Sequence, residues 1–302
     1  DQDAGVRSLA TLGMGGIGEA APAKLVPVVV DALSDVLQSK HEDAVPDAVQ
    51  ALGRIGQAAP ANVVPVTIAL ASVDRQCKSE GVRKTMVAAL GNLGKAAPSE
   101  VLLFVLVPRL TEVLQDTSER VRGEAVRALG TVGQVSPEGV LPLVLATLDA
   151  GVLDSSFVVR QSAVKALDSI GDTAPAEVLP QMMLSLCRAL QDDVGKTRVV
   201  AARALGRISK PTKKLASAMA EMKEELVLFV VDVFTKALSD SEYDVRSEVA
   251  EALCNIGKFV LPPILPKVAN VLMKAQRDEH PDVRLKVCEA LRGLGAPGAP
   301  GT

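Results

Sequence analysis

Aromatic side chains are scarce in this chain of 302 residues, which has one Tyr, five Phe and no Trp. So few rings leave little on which bases or sugars could stack. An excess of one charge is missing too: 33 Lys and Arg stand against 36 Asp and Glu, for a net charge of −3. No overall field therefore gathers nucleic acid or acidic lipid, and nucleic acid is not an expected partner. Histidine occurs only at His41 and His280, and cysteine at Cys77, Cys187, Cys254 and Cys288. The thiols form no CxxC pair and read as free, buried groups of a reducing compartment. Long apolar runs are absent as well. The longest, Val101–Val107 and Leu226–Val231, fall far short of a bilayer span. No signal peptide opens the chain at Asp1-Gln2-Asp3. The expectation is a soluble, cytoplasmic protein with no membrane partner.

What the chain has in plenty is Leu, Val, Ile and Ala, set in a recurring hexapeptide. Ala51-Leu52-Gly53-Arg54-Ile55-Gly56 returns as Ala89-Leu90-Gly91-Asn92-Leu93-Gly94 and as Ala128-Leu129-Gly130-Thr131-Val132-Gly133. Weaker copies centre on Met14, Leu167, Leu205, Leu253 and Leu291. Successive anchors, from Met14 to Leu291, are 38, 38, 39, 38, 38, 48 and 38 residues apart. A fixed period of this size marks an array in which each unit packs on its neighbours. One continuous array is expected over residues 1–295, followed by a Pro/Gly linker at 296–302.

Within one period, Pro60 suits a first helical turn and Val63–Leu70 is an apolar helical run. After a polar loop, Val82, Met86, Leu90 and Leu93 recur at helical spacing, and Gly94 stands where a left-handed cap is expected. Each period is a helical hairpin. The Gly after the anchor (Gly53, Gly91, Gly130, Gly206) costs about 1 kcal/mol against Ala in a helix. It reads as a place of close helix approach.

Seven residues before the anchor stands an Arg, at Arg7, Arg83, Arg122, Arg160, Arg198, Arg246 and Arg284. Six residues before that Arg stands an Asp, at Asp1, Asp116, Asp154, Asp192, Asp240 and Asp278. Hairpins of this length, with Asp in the turn and Val-Arg opening the second helix, resemble HEAT repeats. The Ala-Leu-Gly-x-Ile-Gly ending is most similar to the subclass found in phycobilin-lyase-type proteins. The resemblance implies a right-handed, all-α solenoid of about seven hairpins plus one leading helix. It also implies that the Asp and Arg side chains form a ladder between successive turns, where a forked Arg–carboxylate pair would fix the stacking register.

The pattern has irregularities. In the unit anchored at Leu52, the Arg position is Val45 and the Asp position Ser39, and the next unit has Cys77 at its acidic position. The turns around residues 39–83 are therefore expected to be the softest joins. The first 18 residues read as a second helix without its partner, leaving Leu9, Leu12 and Met14 uncovered. On that ground the chain is expected to belong to a larger multidomain protein. The 48-residue spacing places an insert near Lys210–Glu225, read as a first helix lengthened by two to three turns.

Materials for catalysis are missing. His41-Glu42 resembles one His-Glu pair of deoxyhypusine hydroxylase, a HEAT-like di-iron enzyme that needs several such pairs. No Cys/His cluster, phosphate loop or Ser/His/Asp set is present, so no metal, cofactor or catalytic residue is assigned. What remains is surface. In HEAT arrays the second helices line the concave face, which here would carry Arg54, Arg127, Lys165, Arg203 and Arg207, with Glu248, Glu251 and Glu289 beyond them. The expected function is a non-enzymatic scaffold holding a protein or peptide, acidic where it meets that basic strip. The phycobilin-lyase resemblance implies the alternative, an enzyme or chaperone with a tetrapyrrole or small ligand in the groove.

Overall fold

The computed structural model describes residues 3–20, 22, 24–39, 43–58, 62–71, 77–137, 139–260 and 262–295. Asp1, His41, Glu42, Pro60 and the 296–302 tail lie outside the described residues. The described chain is helical throughout and divides into two compact units, Asp1–Gly151 and Val152–Thr302. In the first, α1 (Ala4–Ala20) precedes the hairpins α2 (Val26–Gln38) with α3 (Val45–Ala58) and α4 (Val63–Ala71) with α5 (Glu80–Leu93). A third hairpin joins α6 (Ser99–Val101), a π-helical turn (Leu102–Leu106) and α7 (Val107–Val113) to α8 (Glu119–Gly133), and α9 (Leu141–Val152) follows. In the second unit, α10 (Phe157–Gly171) leads to α11 (Leu179–Ala189) with α12 (Gly195–Ile208). Then come α13 (Lys213–Glu221) and α14 (Glu224–Ala237) with α15 (Tyr243–Gly257), and α16 (Leu265–Ala275) with α17 (Pro281–Gly293).

Second helices form the spine of each unit: α1 packs on α3, α3 on α5 and α5 on α8, then α10 on α12, α12 on α15 and α15 on α17. The anchor leucines Leu52, Leu90, Leu129, Leu167, Leu205, Leu253 and Leu291 are fully buried. Glycine sets the spacing. A Cβ at Gly91 would lie 2.6 Å from the Ala128 Cβ and 2.8 Å from its Cα, so only glycine fits without backbone movement. Gly94 corrects the expectation of a left-handed cap: its φ is −57°, in the right-handed region. It is glycine because Val132 of the next second helix would come within 2.5 Å of a Cβ. Among described glycines, only Gly295 has a positive φ, of 63°.

The irregular spacings have local causes. The 39-residue step to Leu129 holds one residue more than its neighbours, and the first helix of that unit absorbs it as the π-helical turn Leu102–Leu106. The 48-residue step does not lengthen a helix. Met222 and Lys223 take extended backbone angles and separate α13 from α14. The insert folds back: Leu215, Ala218 and Met219 of α13 are buried, α13 packs on α11, and the Lys214 Nζ donates to the Gly171 carbonyl at 2.8 Å. On α1, Val6, Leu9 and Ile17 are exposed, Leu9 to 72%. Met14, expected on that bare face, instead lines a cavity with Val36 of α2. Among the described residues no helix is long and apolar enough to cross a membrane.

Candidate interaction surface

The Arg and Asp of the repeat meet across successive turns. Arg160 of α10 grips Asp192 of the following hairpin, with Nε to Oδ2 at 2.5 Å and Nη2 to Oδ1 at 3.0 Å. Arg198 holds Asp240 at 2.7 and 2.9 Å, and Arg246 holds Asp278 at the same two distances. In the first unit Arg83 holds Asp116 at 2.7 and 3.0 Å. The third guanidinium nitrogen turns to its own turn: the Nη1 of Arg122, Arg160, Arg198, Arg246 and Arg284 donates to the carbonyl of the residue six before it. Asp116, Asp154, Asp192, Asp240 and Asp278 each also accept from the backbone N–H two residues on. Each of these five thus closes its own turn, and Asp116, Asp192, Asp240 and Asp278 also receive the previous repeat's Arg.

Burial alone would raise the pKa of Asp116, Asp192, Asp240 and Asp278. The Arg and backbone donors outweigh it and hold all four below the usual carboxylate range. The paired arginines Arg83, Arg160, Arg198 and Arg246 are pushed up by their carboxylate partners. These side chains satisfy one another across successive turns.

The interruption takes a different form from the one read in sequence. Rungs join an Arg to the Asp of the next turn, so Val45 and Cys77 are the two halves of one lost rung. Arg83 Nη1 still finds the Cys77 carbonyl at 2.6 Å, which keeps the turn's backbone in place without the carboxylate. Ser39 does not leave Arg7 without an acid: Arg7 reaches Asp43 instead, with Nε at 3.0 Å and Nη2 at 2.8 Å from the same Oδ2.

The basic strip is exposed but not bare. In the first unit Arg54 pairs with Glu19 of α1 at 3.1 Å, and Arg127 with Glu124 of its own helix. In the second, Arg207 Nε donates to Asp168 of α10 at 2.9 Å, Arg203 approaches Asp244 of α15 at 3.5 Å, and Lys165 reaches the Gln161 amide oxygen at 3.2 Å. Lys286 of α17 continues the series to Glu251 at 2.8 Å. Sequence reasoning missed these pairs between second helices, although Asp168 just after its anchor and Arg207 two after the next were a signal. Glu248 stands apart: burial against Gly206 raises its pKa, helped by Glu251 and opposed by Arg203 and Lys286. Cys187 is buried in α11, and burial pushes its thiol up to about 12. It has no nucleophilic character. Among the described residues no group of three or more His, Cys, Asp or Glu could hold a metal.

A family model described as HEAT repeats matches residues 70–154, 107–188 and 231–300, more than half of the chain. The chain belongs to the HEAT-repeat family. No curated protein matches it. Two engineered proteins solved by the Northeast Structural Genomics Consortium share the fold. One has a TM-score of 0.52 and 22% identity over 78% of this chain and 96% of that one. The other has a TM-score of 0.50 and 20% identity over 97% of this chain and 86% of that one. A designed armadillo repeat protein in complex with the peptide (KR)4 matches with a TM-score of 0.51 and 18% identity, covering 87% of this chain and 98% of that one. The chain is a HEAT/armadillo-like repeat scaffold, a fold consistent with protein interaction.

Proposed function

We propose that this HEAT array is a non-enzymatic scaffold that holds a protein or peptide segment along the face lined by its second helices. The observation that supports this most is the state of the donors on α10 and α12. Lys165 has a neutral amide acceptor, and Arg203 of α12 reaches Asp244 of α15 only at 3.5 Å. An acidic group of a partner therefore finds two donors that carboxylates do not saturate. Arg54, Arg127 and Arg207 must exchange an existing partner to join in. Exposed pairs of this kind contribute roughly 0–1 kcal/mol each, so affinity comes from several contacts and falls with salt. The Ala-Leu-Gly-x-Ile-Gly subclass, a cytoplasmic location and membership of a larger multidomain chain remain part of this reading.

The test is binding of an acidic amphipathic Leu/Glu peptide to the wild type and to the triple variant Lys165→Glu, Arg203→Glu, Arg207→Glu, with thermal melts as a control on folding. The expected result is a loss of affinity of about tenfold or more in the variant and a steep fall with salt in the wild type. Equal affinity in a folded variant would sink the proposal.

A further inference from the structure

The one-residue insertion in the third hairpin has a surface consequence. At the π-helical turn Leu102–Leu106, Leu102 and Leu106 stay buried while Phe104 stands 77% exposed. It is the most exposed of the large apolar side chains, in a chain with only five Phe. Neighbouring first helices bring further apolar groups to the outer side. The π turn packs on α4, which exposes Ile68. A hydrogen bond between the hydroxyls of Thr111 and Thr147, at 3.1 Å, ties α7 to α9, which exposes Leu143.

Charge on these helices is one-sided. From Val63 to Ala71, Ser99 to Val113 and Leu141 to Val152 the acids are Glu100, Glu112 and Asp149. The single cation is Arg109, whose side chain is only 11% exposed and whose Nη1 is held by Glu112 at 3.0 Å. Glu100 lies one turn before Phe104 on the exposed side of the helix. The face is apolar at its centre, and at its margins three carboxylates stand against Arg109 and Lys78, which both lie beside Glu112. Of the matching positions in the second unit, Gln181 and Lys267 are polar, whereas Phe229 of α14 is exposed to 42%.

We propose that Ile68, Phe104 and Leu143, bordered by Glu100, Glu112 and Asp149, form a docking face for a basic amphipathic helix of a partner protein. Phe104 is the anchor: inserted among the partner's apolar side chains, it loses its large exposed area to water, as aromatic hot spots do. The margin carboxylates set orientation and steer approach, and exclude acidic segments and anionic lipid. π-helical turns are often found at functional sites, and this one turns a repeat irregularity into a protruding ring. This face is made of first helices and is separate from the second-helix face proposed above.

The test uses the full chain and an amphipathic peptide in which Leu-Lys-Lys-Leu-Leu-Lys-Leu is repeated, with a scrambled, non-amphipathic peptide of the same composition as control. Wild-type protein is expected to bind the amphipathic Lys peptide at least about tenfold more tightly than the scrambled one. Phe104→Ser is expected to weaken the Lys peptide by about tenfold or more with an unchanged melting temperature, because the ring is mostly in water already. Glu100→Lys should weaken it by about threefold and flatten the salt dependence. Equal binding of the two peptides, or Phe104→Ser affinity within about twofold of wild type, overturns the proposal. So does Phe104-dependent sedimentation with neutral phosphatidylcholine vesicles without peptide binding, which would assign the face to lipid.

Discussion

The two units use one repeat grammar with different completeness. In the second, three successive Arg–Asp rungs, Arg160–Asp192, Arg198–Asp240 and Arg246–Asp278, are all two-pronged and sheltered. In the first, Arg83–Asp116 is of the same kind, Arg7 turns to the more exposed substitute acid Asp43, and the rung between Val45 and Cys77 is gone. The apolar stacking is the same in both, since the anchor leucines are buried throughout. Stacking of second helices therefore forms the array, and the rungs tighten individual joins. The Arg198–Asp240 rung makes the same point, since it forms although ten extra residues, folded back as α13, lie between its ends.

Removing one half of a sheltered rung should have the largest effect. Asp192→Ala removes the sheltered carboxylate from Arg160, leaves it the exposed Asp193 at 2.5 Å and opens the turn at Val194, and should destabilise the second unit by about 3 kcal/mol. Asp43→Ala in the first unit should cost about 1 kcal/mol, because Asp43 is exposed. Denaturant melts of the two variants check the contrast. Acid provides a second view. The ladder carboxyls sit below their unfolded pKa of about 3.9, so their stabilisation is complete above that value and disappears as pH falls through the lower folded one. Wild type should lose stability below about pH 4, and Asp192→Ala should lose less over that interval.

Glycine spacing gives the next effect. Gly91→Ala forces a Cβ against the Ala128 backbone and should destabilise by about 2 kcal/mol. Gly13→Ala on α1 meets nothing within 4 Å and should stabilise by up to about 1 kcal/mol through helix propensity. If both variants lose stability equally, close approach is not what selects glycine. Restoring the absent rung sharpens the comparison further. In a double-mutant cycle of Val45→Arg and Cys77→Asp, the pair should be favourable by about 1 kcal/mol beyond the sum of the singles. The smallest effect is at Glu248, whose carboxylate is half-buried beside Glu251. Its raised pKa means the charged form opposes folding at neutral pH. Glu248→Gln should raise stability slightly at pH 7 and leave it unchanged at pH 4, as thermal melts at the two values would show.

Periodicity made the architecture legible. The anchors, the hairpin unit and the Arg and Asp positions could all be read from sequence because each recurs at a fixed offset. Features that depend on which neighbour a residue meets could not. Gly94 was open to reading as a cap because glycine serves caps and close packing alike, and only the position of Val132 distinguishes them. Asp43 replaces Ser39 from four residues away, outside any fixed-offset comparison. The helical pattern of apolar residues runs unbroken from Leu215 to Val233, yet the chain turns at Met222 because α13 buries its own apolar face against α11. The cations of the second-helix strip were visible, but the acids that meet Arg54, Arg203 and Arg207 lie on adjacent helices 35 to 41 residues away and depend on the stagger between helices.

The sharpest test of the rungs as the element that distinguishes the two units is native-state hydrogen exchange at matched turn amides. The amides of residues 79–83, beside Cys77, should exchange through openings of lower free energy than those of residues 194–198, beside Asp192, by about 1–2 kcal/mol. Equal protection of the two turns would contradict that role and leave apolar stacking alone to account for both units.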